Sequence, residues 1–95
     1  MIEGEMLYVV CYDIQKDWVR ERVADLLGEY LVRVQKSVFE GRMTDRQAGA
    51  LTRKAARLIG PDDSLRAYAI SVAGLKRSLA YGLQPLPEPH DYYLL

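Results

Sequence analysis

The stretch Leu7-Tyr8-Val9-Val10-Cys11-Tyr12-Asp13 decides the fold, because an apolar run ends there in a single carboxylate. A run so short and so apolar predicts a strand over residues 6–14, covered on both faces. An ionised acid at the end of such a run needs a cation, hydrogen-bond donors or water to receive it. Asp13 is therefore expected where the core meets solvent, close to the start of the following helix. Metal ions and phosphates commonly bind at such strand ends in open α/β sheets.

Working outward, Gln15-Lys16 is a short connection and Asp17 reads as the N-cap of a helix to about Tyr30. Val19, Val23, Leu26, Leu27 and Tyr30 give that helix a stripe at 3.6-residue spacing. Residues 32–43 alternate in the strand manner, with Val32, Val34 and Val38 on one face and Arg33, Gln35, Ser37 and Phe39 on the other. One long strand and a tight hairpin both fit, since no Asn-Gly or Asp-Gly marks a turn. Thr44-Asp45-Arg46-Gln47 is a capping box that opens a second helix, read to about Ile59 and stopped by Gly60-Pro61.

Asp62-Asp63 leads into a strand from Ser64 to about Ala73, and a further short strand is expected from Leu75 to Tyr81, after Gly74. Pro85, Pro87 and Pro89 favour an extended tail before Tyr92-Tyr93-Leu94-Leu95. The order strand, helix, one or two strands, helix, strand predicts an α+β, ferredoxin-like βαββαβ sandwich with an additional C-terminal strand segment. The domain is expected over residues 1–84, with 85–95 as a tail. Helices on one face leave the other needing cover, and a second subunit is the simplest one.

At 95 residues the chain is one domain with a modest core. Thirteen basic residues balance thirteen acidic ones, so net charge excludes neither a nucleic-acid partner nor any other. The distribution is uneven. Arg33, Lys36, Arg42, Arg46, Arg53, Lys54 and Arg57 face only Glu40 and Asp45 within their stretch. A lone Cys11 excludes an intrachain disulfide and a cysteine-based zinc site. The N-terminal residues lack signal-peptide regions, and no apolar run approaches the ~20 residues that cross a bilayer. A cytoplasmic protein without a membrane partner is expected.

Leu7 to Ile14, then Arg20 and Arg22-Val23, then Arg33-Val34-Gln35-Lys36-Ser37-Val38-Phe39-Glu40-Gly41, and later Asp62-Asp63-Ser64-Leu65-Arg66-Ala67-Tyr68, resemble one family. It is the smaller of the two universal CRISPR adaptation proteins, also described as CRISPR-associated endoribonucleases. The resemblance covers essentially the whole chain. It implies a homodimer whose C-terminal segment, here 85–95, packs on the partner's sheet. It also implies binding of RNA or double-stranded DNA, docking of CRISPR integrase subunits during spacer capture, and in some members cleavage with Mg²⁺ or Mn²⁺. The metal and catalytic aspartate of the family corresponds to Asp13. Its functional arginines correspond to Arg20, Arg22 and Arg33, and its serine and phenylalanine positions to Ser37 and Phe39.

Each residue also has a plainer reading. Asp13 alone is a weak magnesium site, and two copies across a dimer axis make a plausible one. Otherwise it caps the loop backbone. Arg20 and Arg22 sit in the first turns of a helix, where the macrodipole disfavours cations by about 0.3–1 kcal/mol. That favours an anion partner, unless an Arg22–Asp25 contact explains the placement. Arg33 and Ser37 suit phosphate, and Phe39 suits either base stacking or packing in the core or an interface. Arg46, Arg53 and Arg57 form a helical stripe that can track a duplex backbone or simply face solvent. Two function classes stay open: a metal-dependent phosphodiesterase and a non-catalytic DNA-binding scaffold bridging integrase dimers.

Overall fold

In the computed structural model, which describes residues 4–87, the apolar run forms β1 (Met6–Asp13), an inner strand of a four-stranded sheet. Its burial alternates. Val10 and Tyr12 belong to the core, while Val9 and Cys11, which point to the opposite face, are half-buried. Helix α1 (Asp17–Gly28) follows and lays Val19, Val23, Leu26 and Leu27 against the sheet. The expected cap differs: Lys16 occupies the N-cap with no side-chain bond, and Asp17 is the first helical residue.

Residues 32–43 form a hairpin, not one long strand: β2 (Val32–Gln35) and β3 (Val38–Met43) are joined by a turn at Lys36-Ser37. The register is irregular between Arg33 and Gln35, so Arg33 faces Phe39 while Gln35 faces Val38. This breaks the expected common face of Arg33, Gln35, Ser37 and Phe39. Helix α2 (Asp45–Ala56) begins as read, with the Thr44 hydroxyl accepting from Gln47 N–H and the Gln47 side chain accepting from Thr44 N–H. It ends three residues early, although Leu58 and Ile59 still pack against the core.

Strand β4 (Ser64–Ile70) stops before Ala73, and the expected strand at Leu75–Tyr81 is instead the short helix α3 (Val72–Lys76). Ser71 caps it, its hydroxyl accepting from Gly74 N–H at 3.1 Å. Residues 77–87 carry no strand, and the tail from 88 onward lies outside the described residues. The sheet order β2-β3-β1-β4, antiparallel throughout, is the ferredoxin-like arrangement.

Both long helices cover one face, where Phe39, Leu27, Val10 and Val23 are the largest side chains fully buried. Burial of each such side chain contributes about 1.5–3 kcal/mol. On the second face Leu75 of α3 lines a pocket with Leu7, Ile70 and Val72 at one end, and Ala80, Tyr81 and Leu83 flank a groove beside Gln35 and Glu40. Elsewhere on it Val32 is 67% and Tyr68 48% exposed.

Candidate functional site

Asp13 is the last residue of β1 and is exposed, as its place after the apolar run requires. Across the sheet it pairs in register with Ser64 of β4. The strand end opens on a cleft of about 660 Å³. Asp13 shares this cleft with Arg20 and Asp25 of α1, with Arg33 of β2, and with Lys36 and Ser37 of the β2–β3 turn. Three elements distant in sequence thus converge on the carboxylate.

The two cleft arginines are anchored. Arg20 donates through Nη1 to Ile14 O at 2.6 Å and pairs through Nη2 with Asp17. Its place in the first turn is therefore explained locally. Arg33 donates through Nε and Nη2 to Lys36 O at 3.0 and 2.5 Å. The same carbonyl accepts from Tyr12 OH at 3.0 Å, and Tyr12 N–H donates to Ser37 O at 3.1 Å. The turn is stapled to β1 and β2 from three directions.

Phe39 supports this staple. The Arg33 guanidinium carbon lies 5.4 Å from its ring centroid, and the Tyr12 ring stacks at 6.3 Å between centroids. At 1% exposure Phe39 cannot offer its ring to a base, so of its two readings packing in the core stands and the nucleic-acid contact does not. It is a core residue because it shares a face with its register partners Arg33 and Val10, and that is the face the helices cover.

Other expected residues lie elsewhere. Arg22 is exposed, lines a separate groove with Lys54 and Leu58, and among the described residues makes no ion pair with Asp25. Arg46, Arg53 and Arg57 are exposed on or just after α2, and none lines the Asp13 cleft. Three contributors went unread in the sequence. Lys36 supplies both a cation and the shared carbonyl, and Tyr12 supplies the hydroxyl. Asp63 accepts from Gln15 N–H at 2.9 Å and from Gly60 N–H at 2.8 Å. Those backbone donors, Gly60 foremost, hold the Asp63 carboxyl below the usual carboxylate range. An acid directly before a strand and after Gly-Pro was the available signal for this last contact.

No helix of the structure is long and apolar enough to cross a membrane, among the described residues. The family model for CRISPR associated protein Cas2 matches residues 6–77. The CRISPR-associated endonuclease Cas2 2 of Thermus thermophilus is 43% identical over 93 residues, 97% of this chain and 99% of that protein. The CRISPR-associated endoribonuclease Cas2 3 of Synechocystis is 38% identical over 84 residues, 87% of this chain and 91% of its own length. Among solved structures, the crystal structure of a hypothetical protein TT1823 from Thermus thermophilus superposes with a TM-score of 0.78 at 42% identity. It is matched over 90% of this chain and 100% of its own. A chain of a partial Cas6-RT-Cas1–Cas2 complex gives a TM-score of 0.69 at 30% identity, over 79% of this chain and 89% of that one. With the sheet order and the strand-end aspartate, these likenesses make the chain a member of the CRISPR associated protein Cas2 family.

Proposed function

We propose that the chain works as a homodimer in CRISPR adaptation and that the Asp13 cleft is a divalent-cation-dependent phosphodiesterase site acting on single-stranded RNA or duplex DNA. One observation carries the reading: an exposed strand-end carboxylate opens on a cleft it shares with Arg20, Arg33 and Lys36. A phosphodiester backbone suits the cations, and a hard cation suits the carboxylate. The names of the relatives, endonuclease and endoribonuclease, agree with that chemistry. The solved complex with Cas1 supports integrase subunits as partners.

The residues present fit an open magnesium or manganese site, not a closed cage. Among the described residues no three His, Cys, Asp or Glu side chains converge. Mg²⁺ usually takes one or two carboxylates and completes its shell with water and substrate phosphate. Asp13, paired across a twofold axis, meets that requirement. The half-covered sheet face, with Val32 and Tyr68 exposed, supports association of two chains. A cation held there would supply charge neutralisation and a lowered water pKa. The chain's own part is to orient. Asp13 fixes the ligand position, Lys36 offers a mobile ammonium to phosphate, and the stapled Arg33 presents a fixed fork.

Cleavage of defined RNA and duplex DNA by wild type and Asp13→Ala, with and without Mg²⁺ or Mn²⁺, tests the reading. Metal-dependent cutting that Asp13→Ala lowers at least 100-fold is expected. Equal cutting by the two proteins would refute it. A second reading, a non-catalytic scaffold, is favoured by the absence of any histidine among the described residues to serve as general base. Nucleic-acid and Cas1 binding without cutting, unchanged in Asp13→Ala, is its signature.

A further inference from the structure

We propose that Asp63 is a positioning residue for Asp13, its carboxylate fastening the loop after β1 to the loop before β4. The inference rests on the metal-site reading above. Both Asp63 oxygens are engaged by backbone: Oδ1 accepts from Gln15 N–H, 48 residues away in sequence, and Oδ2 accepts from Gly60 N–H. Asp63 N–H in turn donates to Gly60 O at 3.1 Å, which closes the 60–63 turn and makes the carboxylate a rigid post. One residue on, Ser64 pairs in register with Asp13. The segment Asp13–Gln15 is therefore held at both ends by Asp63 and Ser64, through a strand pairing and a charge-assisted bond.

Bonds from backbone N–H groups to an ionised carboxylate are roughly twice as strong as neutral ones. The lowered carboxyl pKa keeps Asp63 an acceptor across the physiological range. Without the clamp, Gln15 loses its hydrogen bond to the opposite loop, and Asp13 gains freedom about its strand end. For a ligand that supplies one carboxylate per subunit, orientation carries much of the affinity. Groups that orient metal ligands typically contribute about 10–100-fold to metal affinity.

The test uses the full chain and Mn²⁺ alone, titrated with the free ion read by electron paramagnetic resonance well below the melting temperature. Asp63→Ala and the near-isosteric Asp63→Asn are expected to weaken Mn²⁺ binding about 10-fold or more. Asp62→Ala, which removes the same charge from the exposed neighbouring residue, is expected to stay within about twofold of wild type. A purely structural role would lower the melting temperature and leave Mn²⁺ affinity alone. Affinity within twofold of wild type in a folded Asp63 variant overturns the proposal, as does an equal loss in Asp62→Ala.

Amide spectra supply the second measurement and separate this inference from the reading beneath it. In both Asp63 variants the Asp13, Gln15 and Gly60 resonances are expected to shift and Gln15 to exchange faster with solvent. Should wild type bind no Mn²⁺, the metal reading fails, while the Asp13 resonance still decides the positioning. An Asp13 signal unmoved by Asp63→Asn would end it.

Discussion

Arg33→Ala separates two readings of the same side chain. A phosphate-binding arginine waiting in an open cleft can be truncated with a stability change within about 0.5 kcal/mol. The structure assigns more to it. Two N–H groups on one carbonyl count as one charge-assisted contact, worth about 1–1.5 kcal/mol in this exposed setting. The guanidinium over Phe39 adds about 0.5 kcal/mol. Truncation should therefore cost about 1.5–2 kcal/mol, and Tyr12→Phe about 1 kcal/mol. Each single variant leaves Lys36 O with the other donor. The double variant removes all three side-chain bonds to that carbonyl, so its loss should exceed the sum by about 1 kcal/mol.

Urea unfolding of the four proteins, at one fixed protein concentration, reads this cycle from shifts in midpoint at constant m. For a domain of this size 1 kcal/mol corresponds to about 4–8 °C in melting temperature. An Arg33→Ala midpoint equal to wild type, or strict additivity with Tyr12→Phe, would refute the staple and return Arg33 to a ligand-only role.

Three further outcomes are expected. Lys36→Ala leaves the staple intact, because the turn uses the Lys36 carbonyl and not its ammonium; stability should hold while the slope of log affinity for nucleic acid against log salt falls by roughly one unit. Gly41→Ala should lower stability by about 1–2 kcal/mol in a thermal melt, since a Cβ there would lie 2.8 Å from Leu31 Cδ2 and Leu31 is buried. Burial raises the Glu40 carboxyl above its ordinary range, so its ionised form weakens the fold. Stability from this group is complete below the unfolded pKa and is lost as pH rises through the folded one; Glu40→Gln should melt higher than wild type at neutral pH, with the gap closing toward pH 4.

Local chemistry made much of this fold legible. The apolar run to Asp13 and the Thr44–Gln47 box carry their signals within a few residues, and both elements stand where those signals place them. The hairpin at 32–43 did not announce itself, because Lys36-Ser37 is neither Asn-Gly nor Asp-Gly, the pairs that mark a tight hairpin. It is held by Tyr12 and Arg33, whose approach is a property of the finished sheet. Phe39 keeps the face of Arg33 that the alternation gives it, and that face is the one the helices bury. Helix α3 escaped notice for a related reason. Gly74 reads as a strand breaker, but Ser71 caps a turn that pays its way only by burying Leu75 over Leu7. In the site, Asp13 was visible from burial logic, whereas the clamp by Asp63 spans 48 residues, and its local signal, an acid between Gly-Pro and a strand, does not name Gln15 as the partner.

The anchoring of the cleft arginines bears on how such a small domain can hold a polyanion at all. Arg33 has five N–H groups in a rigid fork, and the staple uses two. Three remain for phosphate, already oriented by the carbonyl and by the ring beneath. A free arginine loses up to about 1.5 kcal/mol of side-chain entropy when a ligand immobilises it. Here folding has met that cost before any ligand arrives. Stability and binding are thus coupled through one side chain. Loss of binding in an Arg33 variant cannot by itself distinguish a missing phosphate contact from a slackened turn, and the exposed Lys36 ammonium, which the fold does not use, is the cleft cation whose removal reports phosphate contact alone.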